Sequence, residues 1–154
     1  MTRLDERQVT VVARLFGAYT HNLDQKNRLA IPAKLRAELG DSFVLTLSPS
    51  GEKCLLAYTF EDWDDVMRDF LSQPSSEDQM LRQRKLYMNT DKMDLDAQGR
   101  MTIPTRLMEQ AGFRREVYML GSGYHLEFWD PEEFEKMLER NKERMDSQKT
   151  YLNK

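Results

Sequence analysis

The stretch Leu23-Asp24-Gln25-Lys26-Asn27-Arg28-Leu29-Ala30-Ile31-Pro32 is answered 72 residues later by Leu95-Asp96-Ala97-Gln98-Gly99-Arg100-Met101-Thr102-Ile103-Pro104. At that fixed offset Leu35 also pairs with Leu107 and Gly40 with Gly112, so seven of the eighteen positions from 23 to 40 are identical. Self-similarity at one offset marks an internal duplication. The likeness then loosens but persists: Ser42 to Leu47 is echoed by Glu116 to Leu120, and Leu55 to Thr59 by His125 to Trp129. Two copies of one small unit fill most of the chain.

Each copy reads as strand, turn, strand, short helix, two strands and an acidic helix. Tyr19–Leu23 and Arg28–Ile31 are predicted strands flanking an Asp-x-x-x-Arg turn. There Asp24 or Asp96 accepts main-chain N–H groups, and Asn27 or Gly99 supplies a positive φ. Pro32 and Pro104 open predicted helices, which Gly40 and Gly112 close. Amphipathic spacing predicts a helix from Phe60 to Leu71 with Phe60, Trp63, Met67 and Phe70 or Leu71 inward. It predicts a second from Pro131 to about Met145 with Phe134, Met137, Leu138 and Met145 inward. Between the copies, Ser76 and Gln79 suggest a capping box for a linker helix from Glu77 to about Met88.

These elements divide the chain into an N-terminal extension (1–15, expected to be a mobile arm), a first unit (16–72) and a linker with its helix (73–90). A second unit (91–145) carries the C-terminal acidic helix, and a tail (146–154) follows. One copy with four short strands buries little on its own, so the copies are expected to complete one another's sheet.

With 154 residues, 40% hydrophobic and 32% charged, the chain can bury a core. Its polar N-terminus is unlike a signal peptide and no apolar run approaches the roughly 20 residues needed to cross a bilayer, which points to the cytoplasm. Cys54, the only cysteine, lies beside Leu55, Leu56 and Ala57 and reads as a buried strand residue. The overall charge of −3 hides a division. Residues 24–36 carry a net +3, whereas 61–70 carry −4 and 130–146 carry −3. Positive charge gathers on the first copy of the repeated motif.

That placement suits nucleic acid. Arginine grips guanine or a phosphate with two parallel donors, and lysine meets phosphates as a point charge. Lys26 and Arg28, two apart at the edge of a turn, can face one groove. The second turn is weaker, since Gln98 stands where the first has Lys26. An alternative stays open at this level: Asp24 with Arg28, and Asp96 with Arg100, form ordinary ion pairs across a solvated turn.

Gly17 and Tyr19, the two Asp-x-x-x-Arg turns, the Ile-Pro helix starts and Leu126-Glu127-Phe128-Trp129-Asp130 together resemble the MraZ family of bacterial transcriptional regulators with tandem AbrB-like domains. The resemblance runs from about Phe16 to about Met145. One Asp-x-x-x-Arg motif is weak evidence; two at this spacing, each followed by Ile-Pro, are specific. The resemblance implies a mainly β fold with peripheral helices (α+β), a swapped-hairpin double-split β-barrel in which the two repeats pair as a pseudo-dimer. It also implies a ring-shaped homo-oligomer in the cytoplasm, associated with the nucleoid. Its implied partner is double-stranded promoter DNA, bound at direct repeats ahead of the division and cell-wall gene cluster that includes its own gene. By residue match Arg28 and Arg100 are the first candidates for DNA contact, then Lys26. Lys34 and Arg36 follow as phosphate contacts, and Arg106 inherits the role of Lys34. Asp24, Asp96, Asn27 and Gly99 match the turn-forming positions. Asn27 departs from the family's usual glycine, a change that left-handed backbone tolerates best among non-glycine residues.

An enzyme is not expected. His21 and His125 fall at unrelated repeat positions, no cysteine or histidine cluster has metal spacing, and no glycine-rich loop suits a phosphate. Asp94 and Asp96 alternate on a strand but are a thin signal for a cation. No cofactor, metal, membrane or small-molecule substrate is expected. The main rival is an oligomeric scaffold without specific DNA binding, whose turns serve subunit contacts. An AbrB-type antitoxin, with one copy and a toxin-binding tail, fits the duplication less well.

Overall fold

The computed structural model describes residues 13–148. The expected arm at 1–15 lies outside them apart from its last three residues, as does the tail beyond 148. In chain order the first copy contributes β1 (Ala18–Asn22), β2 (Arg28–Ala30), α1 (Ala33–Leu39), β3 (Ser42–Leu47), β4 (Cys54–Tyr58) and α2 (Phe60–Leu71). After α3 (Glu77–Met88) the second contributes β5 (Thr90–Asp94), β6 (Arg100–Thr102), α4 (Thr105–Ala111), β7 (Glu116–Gly121), β8 (Leu126–Trp129), α5 (Pro131–Arg140) and α6 (Lys142–Ser147).

The fold is mainly β in its core, with the helices outside it. Six antiparallel strands run in the order β1-β7-β8-β4-β3-β5, and β2 pairs with β6 in a separate two-stranded ribbon. Exchanging the two copies reverses this order without changing it. The strands on either side of each turn do not pair with one another: β1 crosses to β7, with Thr20 opposite Tyr118, while β2 crosses to β6, with Leu29 opposite Met101. In return β5 crosses to β3 of the first copy. Neither half could close its sheet alone.

Strand alternation sorts the core into two faces. Leu55 and Ala57 of β4, with Leu126 and Phe128 of β8, join Leu29, Ile31, Leu35, Met101, Ile103 and Leu107 from the ribbon and the short helices. Cys54, Leu56 and Tyr58, with Trp129, point the other way and meet Trp63 and Val66 of α2 and Phe134 and Met137 of α5. The ribbon and the acidic helices therefore lie on opposite faces of the sheet. Phe43, Leu45, Leu55 and Phe128 are wholly buried, each stabilising the fold by roughly 1.5–3 kcal/mol.

The caps follow the sequence pattern. Thr59 Oγ1 accepts the Asp62 N–H at 3.1 Å, and the Asp130 carboxylate accepts those of Glu132 and Glu133. Pro32 and Pro104 stand one residue ahead of their helices as N-caps. Ser76 Oγ accepts the Gln79 N–H at 3.0 Å, but the Gln79 side chain donates to the Phe70 carbonyl instead of returning to Ser76. Only half of the expected capping box forms, because the loop brings the end of α2 within reach.

Two inward assignments differ. Phe60 is 40% exposed, with Lys92 Nζ 5.8 Å from its ring centre. The C-terminal helix breaks at Asn141, so Met145 on α6 leaves the apolar stripe and is 51% exposed. The last residues of the expected arm are packed. Leu15 is fully buried and exchanges N–H···O bonds with Gly123 at 2.7 and 3.0 Å, and the Ala13 N–H donates to the buried carboxylate of Asp62. Gly121 makes room for this segment: a Cβ there would stand 2.6 Å from the main chain of Leu15 and Phe16. Among the described residues no helix is long and apolar enough to cross a membrane.

Candidate nucleic-acid interface

Each turn is organised by its aspartate. In the first, Asp24 Oδ1 accepts the N–H groups of Lys26 and Arg28 at 2.8 and 2.9 Å, while Oδ2 accepts Arg28 Nε–H at 2.6 Å. In the second, Asp96 Oδ1 accepts those of Gln98 and Arg100, both at 2.9 Å, and Oδ2 accepts Arg100 Nε–H at 2.8 Å. Main-chain bonds Asp24 N–H to Arg28 O and Asn27 N–H to Asp24 O recur as Asp96 to Arg100 and Gly99 to Asp96. Asn27 has φ 60° and Gly99 φ 76°, the left-handed conformation this turn requires. The main-chain donor of Arg28 is the chief cause that lowers the Asp24 carboxyl to about 2, and that of Arg100 likewise lowers Asp96. Both aspartates stay charged at neutral pH and hold the turns closed.

The turns also hold each other. Ile31 N–H donates to Gly99 O at 3.1 Å and Ile103 N–H to Asn27 O at 3.0 Å. The antiparallel ribbon sets Ala30 opposite Arg100 and Arg28 opposite Thr102, so the arginines sit diagonally across it. Asp24 Oδ2 lies 2.6 Å from Arg28 Nε and 3.9 Å from Arg100 Nη1. Two motifs 72 residues apart in sequence thus make one surface.

The ion pairs and an outward role for the arginines are compatible. Arg28 uses only Nε on Asp24, and among the described residues its two Nη groups have no hydrogen-bond partner. Arg100 spends Nη2 on Gln98 Oε1 at 3.2 Å. Both side chains are 29% exposed. The carboxylate fixes the guanidinium plane, and the Nη edge of Arg28 is left as a fork for a base or a phosphate.

The other candidate cations are placed differently. Lys26 and Lys34 are exposed. Arg36 reaches inward to the Ile31 carbonyl at 3.2 Å, over Gly99. Arg106 Nη2 donates to Asn89 Oδ1 at 2.8 Å, an oxygen it shares with Gln110 Nε2. The histidines have structural partners: His21 Nδ1 lies 3.0 Å from Ala30 O, and His125 Nε2 3.1 Å from Glu127, whose other oxygen accepts Trp129 Nε1–H. Burial pushes the Cys54 thiol up to about 12, so it is no nucleophile. Among the described residues no group of three or more His, Cys, Asp or Glu is arranged to hold a metal ion. A cavity of about 680 Å³ between α2, α3 and the loop from Ser48 to Lys53 contains none of the turn residues.

The duplicated turns, each closed by its own aspartate, are matched twice by one family model. The family described as MraZ protein matches residues 15–84 and again 86–153. This chain belongs to the MraZ family. It is 35% identical over 121 residues to the transcriptional regulator MraZ of Acetivibrio thermocellus, covering 78% of this chain and 83% of that protein. It is 37% identical over 117 residues to the same-named protein of Limosilactobacillus fermentum, covering 75% and 80%, and 36% over 126 residues to that of Mycoplasmoides gallisepticum, covering 81% and 87%. MraZ is a family of transcriptional regulators and not of enzymes, and its unit is present here twice.

Proposed function

We propose that this chain is a sequence-specific DNA-binding regulator that reads promoter DNA with its paired Asp-x-x-x-Arg turns. The observation that carries this reading is the convergence of Arg28 and Arg100 on one carboxylate oxygen, which joins two loops into a single basic head. Arg28 and Arg100 contact DNA, Lys26 supports them, and Lys34 adds a phosphate contact. The acidic helices α2 and α5 lie on the opposite sheet face, where they repel DNA approaching from the wrong side.

One head offers few cations, so a single protomer binds modestly and loses affinity steeply with salt. A ring of protomers on direct repeats, in the promoter of the division and cell-wall cluster, turns later contacts into intramolecular ones and restores affinity. Exposed Met80, Leu81, Tyr87 and Met88 on α3 favour assembly with further copies. The same stripe favours the rival, a scaffold that assembles without reading DNA.

Binding of wild-type and Arg28→Ala protein to the upstream fragment and to scrambled DNA, across a salt series, separates the two. The regulator prefers the promoter, gains affinity as repeated boxes are added, and loses the preference on substitution. Equal binding to both fragments, with intact oligomers and no effect of Arg28→Ala, selects the scaffold.

A further inference from the structure

We infer that Arg36 is a positioning residue that clamps the second turn from the first copy, making the two halves of the reading head mechanically unequal. Its guanidinium lies on the backbone of Gly99: a Cβ at that position would stand 2.8 Å from both Cζ and Nε and 3.1 Å from Nη1. Its Nε–H donates to Ile31 O at 3.2 Å, and Ile31 N–H donates in turn to Gly99 O at 3.1 Å. Arg36, Ile31 and Gly99 close a small circuit across the two copies. Arg100, the next residue, has its N–H on Asp96 and its guanidinium in the head.

The first turn lacks this device. At the 72-residue offset Arg36 corresponds to Met108 and Gly99 to Asn27. One turn is therefore built as glycine under arginine, while the matching positions of the other hold asparagine and methionine. Glycine at 99 serves two purposes, since φ 76° suits it and the absent side chain admits the guanidinium. Asn27 at φ 60° shows that an asparagine keeps the turn's backbone, so Gly99→Asn displaces the clamp without unmaking the turn. The Nε–H of Arg36 is committed to Ile31 O, and its guanidinium plane is fixed over Gly99.

The consequence for DNA rests on the reading proposed above; the clamp itself does not. The test compares wild type, Arg36→Met, Gly99→Asn and the double variant, which gives the second turn the first turn's own pair. By NMR, Arg36 Nε–H is expected to exchange slowly with solvent in wild type and rapidly in Gly99→Asn. Each single variant is expected to weaken promoter binding by about tenfold, and the double variant to bind no more weakly than either, since coupled neighbours are not additive. The dependence of log K on log salt should keep its slope. A phosphate contact predicts instead that Arg36→Met lowers that slope by about 0.9 and that the single effects add, which overturns the clamp. If wild-type protein shows no promoter preference, the DNA reading fails by itself. Fast exchange of Arg36 Nε–H in wild type then still refutes the clamp, and slow exchange lost in Gly99→Asn sustains it.

Discussion

The main-chain N–H of Ile103 donates to the carbonyl of Asn27 at 3.0 Å, so the strand that leaves the second turn is tied to the tip of the first. With its counterpart from Ile31 to Gly99 at 3.1 Å, this bond gives the two turns one common foundation. Neither turn can be displaced without disturbing the other. Loss of Asp96, as in Asp96→Ala, is accordingly expected to shift the amide resonances of Lys26 and Arg28 in the first turn. Shifts confined to the second turn would mean the ribbon transmits nothing.

The turns have a defined acid limit. The carboxyl of Asp24 sits at about 2 and that of Asp96 below its ordinary value, each held down first by a main-chain N–H. A carboxylate lowered by folding stabilises the turn above its unfolded value near 3.9, and that contribution drains away as pH falls toward 2. The amide shifts of Lys26 and Arg28 should titrate in that window, those of Gln98 and Arg100 should titrate below the ordinary carboxylate value, and all four should stay flat from about pH 5 to 8. A midpoint near 4 for these amides would show carboxylates without donors.

Half of the chain should not fold as a monomer. A fragment of residues 13–76 lacks β7, the partner of β1, and β6, the partner of β2. In sedimentation and circular dichroism it is expected either unfolded or as a dimer that recreates the interleaved sheet. A compact, folded monomer would contradict the crossed pairing.

Gly121→Ala is expected to destabilise the protein by about 1–3 kcal/mol, because the new methyl meets main-chain atoms of Leu15 and Phe16 that cannot swing aside. Urea unfolding measures this. Gly123→Ala serves as the comparison: nothing lies within 4 Å of its Cβ position, so whatever it costs comes from its φ of 89°. A Gly121→Ala variant no less stable than wild type would mean that the Leu15 segment does not pack there.

Cys54, 1% exposed and with its thiol pushed up to about 12 by burial, should resist alkylation in the native state and react at once in denaturant. Rapid labelling of native protein would indicate that β4 opens locally.

Much of this architecture was legible in the residues because its signals are local. The repeat offset, the prolines ahead of α1 and α4, the Ser76 cap of α3 and the left-handed Asn27 each depend on a few neighbouring positions. The pairing of β1 with β7 depends on a strand nearly a hundred residues away, and nothing in Ala18–Asn22 names it. Phe60 and Met145 fit an apolar stripe by spacing, but what covers a stripe is set by the neighbouring elements, and the break at Asn141 cut the second stripe short. Among the site residues, Asp24 and Arg28 could be placed on one turn, but not on the same oxygen as Arg100. Arg106 is a surface cation as its sequence suggests, but its bond to Asn89, like the placement of Arg36 over Gly99, depends on how distant elements pack.

The palindromic strand order makes the chain a covalent stand-in for a two-fold dimer, with one difference in kind. A true dimer must accept every substitution twice and so meets inverted half-sites with identical hands. Here Arg36 lies over Gly99 on one side only, and the molecule acquires a direction. Under the DNA reading proposed above, a body with a head and a tail has no need of a palindrome, and successive copies could all point the same way.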